Sequence, residues 1–537
     1  MSAAPPPESL GNVGLVSEAA RETAYQLVMA VNTTYAVAAQ LYTSIPGARI
    51  VYKYVKASYQ NDPYRTLLEV GLVVFMVWYW FNRRYKPGSN DVKLTDKLTA
   101  TASDNNIARR TQQEIQELID EWEPEPLVPP LTAFQREELD KLPVLTSAPG
   151  LKVKTADGKE RLNFSTFNFL GVMNSEEIKD KAIESLRKYG VGTCGPPGFY
   201  GTLDVHMELE HRLAAFVQAE AAILYAQGFS CVTSCIPAFA KRGDIVIVDD
   251  GANFAVQKGA QISRSHVRYF RHNDMADLER VLKKVHADFA KKPLTRRFII
   301  VEGLYANLGD VCPLPKLLEL KKRYKYRLIV EESMSFGVLG PRGAGVADFF
   351  GVPPKEIDIM VASLGNALAA AGGFCAGSKE IVEHQRLSSQ AYTFSASLPA
   401  IMAVGALEAL RVLEAKPEVL KTLSDNTALV RAPLEKLDAG YAVTVSGVAE
   451  SPLVHVQLHL PSRDDAERVL QDVVDQALKD GVLVTRAKYV ARQEHNLPPA
   501  SIRIVVSAGF TRRDAQRCGT VVADALRRVL KQHRIIK

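Results

Sequence analysis

Few segments of this chain combine residue types and spacing that invite chemistry. Met360-Val-Ala-Ser-Leu-Gly-Asn366-Ala-Leu-Ala-Ala-Ala-Gly372-Gly373-Phe374 sets a polar side chain six residues ahead of paired glycines. An amide there is not nucleophilic and cannot make an imine, so Asn366 offers hydrogen bonds and no covalent catalysis. Gly190-Val-Gly-Thr-Cys194-Gly-Pro-Pro-Gly198-Phe-Tyr200-Gly201 is a loop whose glycines let the backbone come close to a ligand. Cys231 and Cys235 stand one helical turn apart, with no second ligand pair. They read as buried small residues and not as a metal site. With Cys194, Cys312, Cys375 and Cys518 they make six scattered cysteines, which fits a reducing compartment better than a disulfide framework.

The elements that must hold these segments are legible in outline. A chain of 537 residues, 47% hydrophobic and 23% charged, is globular and long enough for two or three domains. Its net charge of +6 is small, and no basic run is interleaved with aromatics, which argues against nucleic acid. No basic-plus-apolar leader opens the chain, so a cleaved signal peptide is not expected. Residues 1–65 read as a segment on or beyond a membrane surface, with the uncharged stretch Thr23–Ala48 as an interfacial helix. Thr66–Asn82 is a nearly continuous apolar run bracketed by Arg65 and by Arg83, Arg84 and Lys86, with Trp78, Tyr79 and Trp80 near the basic flank. It reads as one transmembrane helix; Glu69 within it favours the alternative, a buried core helix. Residues 83–165 read as linker with an amphipathic helix over Thr111–Trp122, then a proline-rich strap to Leu131 and a hairpin turn at Asp157-Gly158.

From residue 166 to 398 short apolar runs alternate with amphipathic helices. Strands are expected at Ala221–Tyr225, Asp244–Val248, Val267–Phe270, Arg297–Val301, Tyr326–Val330, Ile357–Ala362 and Gly373–Ala376. Helices such as Val205–Gln218, Met275–Ala287 and Lys316–Tyr324 fit between them. Continuously apolar strands imply a mostly parallel sheet covered on both faces, an α/β large domain. Residues 399–537 read as a smaller α+β domain, with strands at Leu453–Leu460, Val482–Ala487 and Ile502–Val506.

From about Asn168 to the C-terminus the ordered motifs resemble the α-oxoamine synthases, pyridoxal-phosphate (PLP) enzymes that condense an amino acid with an acyl-CoA. The blocks are Gly190–His206, Glu302–Asp310, Glu331–Gly340 and Met360–Phe374. The resemblance implies a fold-type I PLP-dependent transferase, dimeric, with active sites at the subunit interface. Measured against it, Asn366 replaces the Schiff-base lysine, and Met334, Phe254 and Phe510 stand where histidines are expected. Glu331 takes the place of the aspartate that pairs with the pyridine nitrogen. These losses imply that the chain has no catalytic residue and no PLP site of its own.

The family includes a heteromeric member whose lysine-less subunit carries an N-terminal membrane helix. This chain resembles that subunit, in a fungal-type version, through Asp62-Pro-Tyr-Arg65, Trp122-Glu-Pro-Glu-Pro-Leu127 and Phe394-Ser-Ala-Ser-Leu-Pro399. The resemblance then implies a complex of the endoplasmic-reticulum membrane, body toward the cytosol, that condenses L-serine with palmitoyl-CoA to 3-ketosphinganine. PLP would belong to a catalytic partner subunit, and a small activating subunit and Orm-type regulators would accompany the pair. Ser395 matches a donor to the partner's cofactor phosphate, or else is a helix-capping serine. Cys194 and Tyr200 fall in the loop facing the shared site, although Cys194 reads more readily as a buried small residue with no chemistry than as a catalytic one. Arg503 matches a carboxylate anchor, or is a surface charge or structural ion pair. Two other readings stand beside this one: an active enzyme using Lys258, or a membrane scaffold recruiting regulators. Asn32-Thr-Thr34 and Asn163-Phe-Ser165 are glycosylation sequons, and the implied topology leaves Asn163 unmodified.

Overall fold

The computed structural model describes residues 48–82, 112–437 and 442–535. They divide into two units, Met1–Pro129 and Pro130–Lys537. In the first, helices span Ala48–Asn61, Pro63–Asn82 and Gln112–Asp120. Pro63 suits a first helical position because the N–H it lacks would have no intrahelical acceptor. On the second helix Leu68, Leu72, Val73, Val74, Phe75, Met76 and Trp78 are exposed, and Arg65 pairs with Glu69 at 2.9 Å. Among the described residues no helix is long and apolar enough to cross a membrane. The spanning helix expected over Thr66–Asn82 is therefore not shown: the Arg65–Glu69 pair and the polar edges of Trp78 and Tyr79 dilute the run. Of the expected interfacial stretch, Thr23 to Gly47 lies outside the described residues, as do Arg83 to Thr111 of the linker. Trp122–Pro129 is neither helix nor strand and bends at Leu127 and Val128, as prolines that deny helix allow.

The second unit is built on a seven-stranded sheet. Its strands are β3 (Ala221–Tyr225), β4 (Ile245–Asp249), β5 (His266–Phe270), β6 (Arg297–Glu302), β7 (Arg327–Glu331), β8 (Ile359–Ser363) and β9 (Gly373–Gly377). Ahead of them in the chain lie the short β1 (Lys152–Lys154) and β2 (Glu160–Asn163). The order across the large sheet is β3-β9-β8-β7-β6-β4-β5, with β9 antiparallel to both neighbours and β4 to β8 mutually parallel. Side chains alternate between faces, and each face has its own core. Ile245, Ile247, Ile299, Val301, Leu328 and Val330 belong to one; Val246, Val248, Ile300 and Ile329 belong to the other, under helices Gly228–Phe239 and Phe254–Ile262. Both faces being covered is why these runs show no polar alternation. A second sheet, β10 (Val443–Ser446), β11 (Leu453–Leu458), β14 (Ser501–Val505) and β13 (Thr485–Arg486), is antiparallel throughout. Helices Ala400–Ala415 and Glu418–Glu435 lead into it.

Much of the stretch read as linker is built into this unit. Helix Ala133–Asp140 starts at a capping box, Thr132 and Gln135 bonding each other's backbone N–H. Its Glu138 meets Arg486, which is nearly buried, also bonds Glu467 at 3.0 Å, and lies over the Phe134 ring. β1 and β2 pair around Gly158, whose φ of +76° the tight turn needs, and β12 (Val482–Leu483) adds to β2 in parallel. Asn163, at the end of β2, is buried, its amide donating to Gly150 O and Thr166 Oγ1 at 2.9 Å each.

Candidate functional site

The carboxyl ends of β4, β6, β7 and β8 share one edge of the large sheet, where open α/β sheets offer a crevice. Glu302 ends β6 and Glu331 ends β7, and the two are register partners with fully buried side chains. Asn253 joins them. It caps helix Phe254–Ile262 with its Oδ1, donates its amide to Glu331 Oε2 at 3.2 Å, and donates its backbone N–H to Glu302. The remaining oxygens accept from backbone, Glu302 from Ala306 N and Glu331 from Ser333 N, both at 2.9 Å. Burial pushes both acids up, and for Glu302 the nearby charge of Glu331 adds to it. Glu332 is buried as well, bonded by Ser335 Oγ and by Val346 N at 3.1 Å. A Cβ on Gly303 or Gly345 would stand 2.4 or 2.8 Å from its carboxyl, so glycine is obligatory on both sides. Burial raises Glu332 to about 8.

Asn366 follows β8 into this group. Its side-chain amide donates to Ser333 O at 2.8 Å and approaches Met334 Sδ at 3.4 Å, and its backbone carbonyl accepts from Phe169 N. The paired glycines beyond it have a packing reason: Gly372 sits at φ +96°, and a Cβ on Gly373 would meet Ala362 O at 2.9 Å and Gly228 Cα at 3.0 Å. Phe254 is half-buried beside Phe229, and Lys258 Nζ lies 5.0 Å from the Phe254 ring centre while donating to Gln261 Oε1 at 2.9 Å. PLP held in the manner the resemblance implies requires an amine and a carboxylate free to face the pyridine nitrogen. Here the amide points at a backbone carbonyl, and the Glu331 oxygens are already satisfied within the chain. These residues do not fit the cofactor.

Two other residues lie apart from this group. The Phe510 ring is buried and stacks on Phe164 at 3.9 Å, as part of the core. Arg503, in β14, is neither a surface charge nor a structural ion pair: it is half-buried 4.8 Å over the Phe167 ring, among the described residues no carboxylate pairs with it, and its Nε is buried without a partner. Burial lowers its pKa.

The glycine loop and the Phe394–Pro399 segment form a second site. Ser397 N donates to Gly195 O at 3.0 Å, Thr193 Oγ1 reaches Ser397 O, and the His206 ring meets Leu398 O at 2.6 Å. Gly201 packs so tightly that a Cβ would fall 2.0 Å from Gly195 O. This zipper leaves Cys194, Phe199, Tyr200 and Phe394 exposed, with Tyr200 fully so, and holds Cys194 at φ +55° and Tyr200 at φ +65°. The expectation of a buried Cys194 is thereby corrected: the left-handed turn aims it outward. Ser395 caps no helix, since Ala400–Ala415 starts after Pro399 without a side-chain cap. Among the described residues its exposed hydroxyl reaches only Ala396 O, at 3.4 Å. Cys231 and Cys235 are buried, Cys235 Sγ lying 3.8 Å from Cys375 Sγ, and no metal-holding group occurs among the described residues.

The roles of Asn253 and Glu302 were missed from sequence. An acid ending an apolar strand, as in Val301-Glu302 and Val330-Glu331, is the signal that could have found the pair.

The aminotransferase class I and II family model matches residues 159–519. Over 423 residues the chain is 43% identical to long chain base biosynthesis protein 1c of Oryza sativa, covering 78% of this chain and 85% of that protein. It is 34% identical to serine palmitoyltransferase 1 of Saccharomyces cerevisiae, covering 87% and 90%. The likeness is thus not confined to fungi. In fold it matches a solved structure of SPT with PLP internal aldimine at a TM-score of 0.66 and 24% identity, over 78% of this chain and 99% of that one.

The three buried acids make stability depend on pH in a defined sense. Their folded-state affinity for protons exceeds that of unfolded glutamates, so stability falls as pH rises from about 4.5 toward 8. Glu332→Gln should flatten that slope: denaturation midpoints measured from pH 5 to 9 should converge on, or overtake, wild type at the alkaline end. Parallel curves for the two proteins would show that Glu332 is charged at neutral pH.

Proposed function

This chain belongs to the serine palmitoyltransferase 1 family, and from that premise we propose that it is the non-catalytic subunit of a heterodimer that condenses L-serine with palmitoyl-CoA to 3-ketosphinganine, opening sphingolipid synthesis. The observation that carries the reading is the Asn366 amide donated to Ser333 O, where a working site would present an amine. The Glu302–Asn253–Glu331 network supports it, because it ties the wall of the vestigial pocket into the fold. The PLP that serves the reaction would be held by the catalytic partner subunit, where it would supply an electron sink for chemistry at the serine α-carbon.

This chain's contribution is the outward surface of the loop and segment. The exposed Ser395 hydroxyl would donate to the phosphate of the partner's cofactor. Cys194 and Tyr200 line the shared site and set its width. The zipper between the glycine loop and Ser397 keeps the two from moving independently. The exposed apolar side chains of helix Pro63–Asn82 anchor the complex in the endoplasmic-reticulum membrane, with the body on the cytosolic side. The small activating subunit and Orm-type regulators bind that membrane portion.

The isolated chain should show no absorbance from a PLP–lysine imine, whereas the complex with its catalytic partner should. A band on the isolated chain that disappears in Lys258→Ala would establish the alternative enzyme and end this reading. Cys194→Trp should leave unfolding of the isolated chain nearly unchanged, because Cys194 is exposed, yet lower turnover of the complex at least several-fold, with Cys194→Ala mild. Equal damage from Ala and Trp would demand a role for the thiol. Alkaline carbonate should leave the chain with the membrane pellet; its release would remove the anchor.

A further inference from the structure

Helix Ala48–Asn61 precedes the proposed anchor and contains no acidic residue. Arg49, Lys53 and Lys56 recur at i, i+4 and i+7, which places them in one stripe along the helix. Lys53 and Lys56 are exposed, and neither makes an ion pair among the described residues. Ile50 and Tyr54, four residues apart on one flank of the stripe, are exposed as well. On the opposite side Ser58 Oγ bonds Thr66 Oγ1 at 2.8 Å, and Thr66 Oγ1 donates to Asp62 O at 2.9 Å. Asp62 Oδ1 accepts from Arg65 N at 3.1 Å, so the single residue between the two helices forms a fixed corner. The corner turns Lys53 and Lys56 away from helix Pro63–Asn82.

We propose that helix Ala48–Asn61 lies in the headgroup layer of the bilayer and binds anionic lipid headgroups through Arg49, Lys53 and Lys56. A basic stripe with an apolar flank is the composition that seats a helix at a lipid surface, with the alkyl stems buried and the charges at phosphate level. Continuity with the anchor fixes the occupant as lipid: with the anchor entering the bilayer at its Pro63 end, the one-residue corner leaves Lys56 about two turns and Arg49 about four turns along the helix from the point of entry. The proposal rests on the reading of Pro63–Asn82 as that anchor.

The test uses the full chain with its catalytic partner, reconstituted in vesicles of phosphatidylcholine alone or with phosphatidylserine added. Amide hydrogen exchange over Ala48–Asn61 should slow when phosphatidylserine is present, and high salt should reverse the effect. Substituting Arg49→Gln, Lys53→Gln and Lys56→Gln together should abolish the slowing, with about a fivefold loss per charge. Flotation of the complex with the vesicles should be unchanged. Equal exchange in neutral and anionic vesicles, or slowing that survives the triple substitution, would overturn the proposal and leave the anchor standing. Failure of the wild-type complex to float would overturn both.

Discussion

Burying three carboxyl groups at the ends of adjacent strands is the constraint around which this molecule is arranged. Each oxygen of Glu302 and Glu331 needs a donor once water is excluded, and the fold supplies them from three directions. Asn253 serves both acids and starts a helix at the same time. Removing it would leave two buried acids short of donors and one helix without its cap. The acids at the floor of the crevice are therefore satisfied within the chain. The same loop that carries Glu332 is pinned between two glycines, so the block from Glu331 to Gly345 has little freedom to rearrange.

On the proposed reading, this chain contributes to the reaction from the rim of its site and not from the floor. The residues that keep free polar or apolar surface, Cys194, Tyr200, Phe394 and Ser395, all belong to the zipped loop and segment. A rigid, strained turn presented to a partner, as proposed, would shape a site without performing any step in it. Positive φ at Cys194 and Tyr200 is maintained by Gly195 and Gly201 packing against each other and against Ser397, well inside the surface that is presented.

The strands of the large sheet were legible because both faces are buried: Ile245–Val248 and Phe298–Val301 are apolar at every position. The glycine loop and the amide at Asn366 were legible from residue type. The acid pair was less so, since pairing across β6 and β7 is a matter of register that no local window contains. Helix Ala133–Asp140 hid in a polar stretch. Its mean hydropathy is low and its purpose is an ion pair to Arg486, far along the chain, while the Thr132–Gln135 capping box was the local clue. Arg503 could not be resolved from sequence, because its neighbour is the aromatic ring of Phe167, a partner that charge patterns do not reveal.

Asn163 illustrates how folding can rewrite a sequence motif. Its amide nitrogen, the atom a glycan would occupy, is committed to two hydrogen bonds in the interior. No transferase could reach it in the finished protein on either side of a membrane. Sugar at this position would therefore be a clock as well as a compass: it would mark molecules that met the transferase before β2 closed, and say how long the nascent chain had waited.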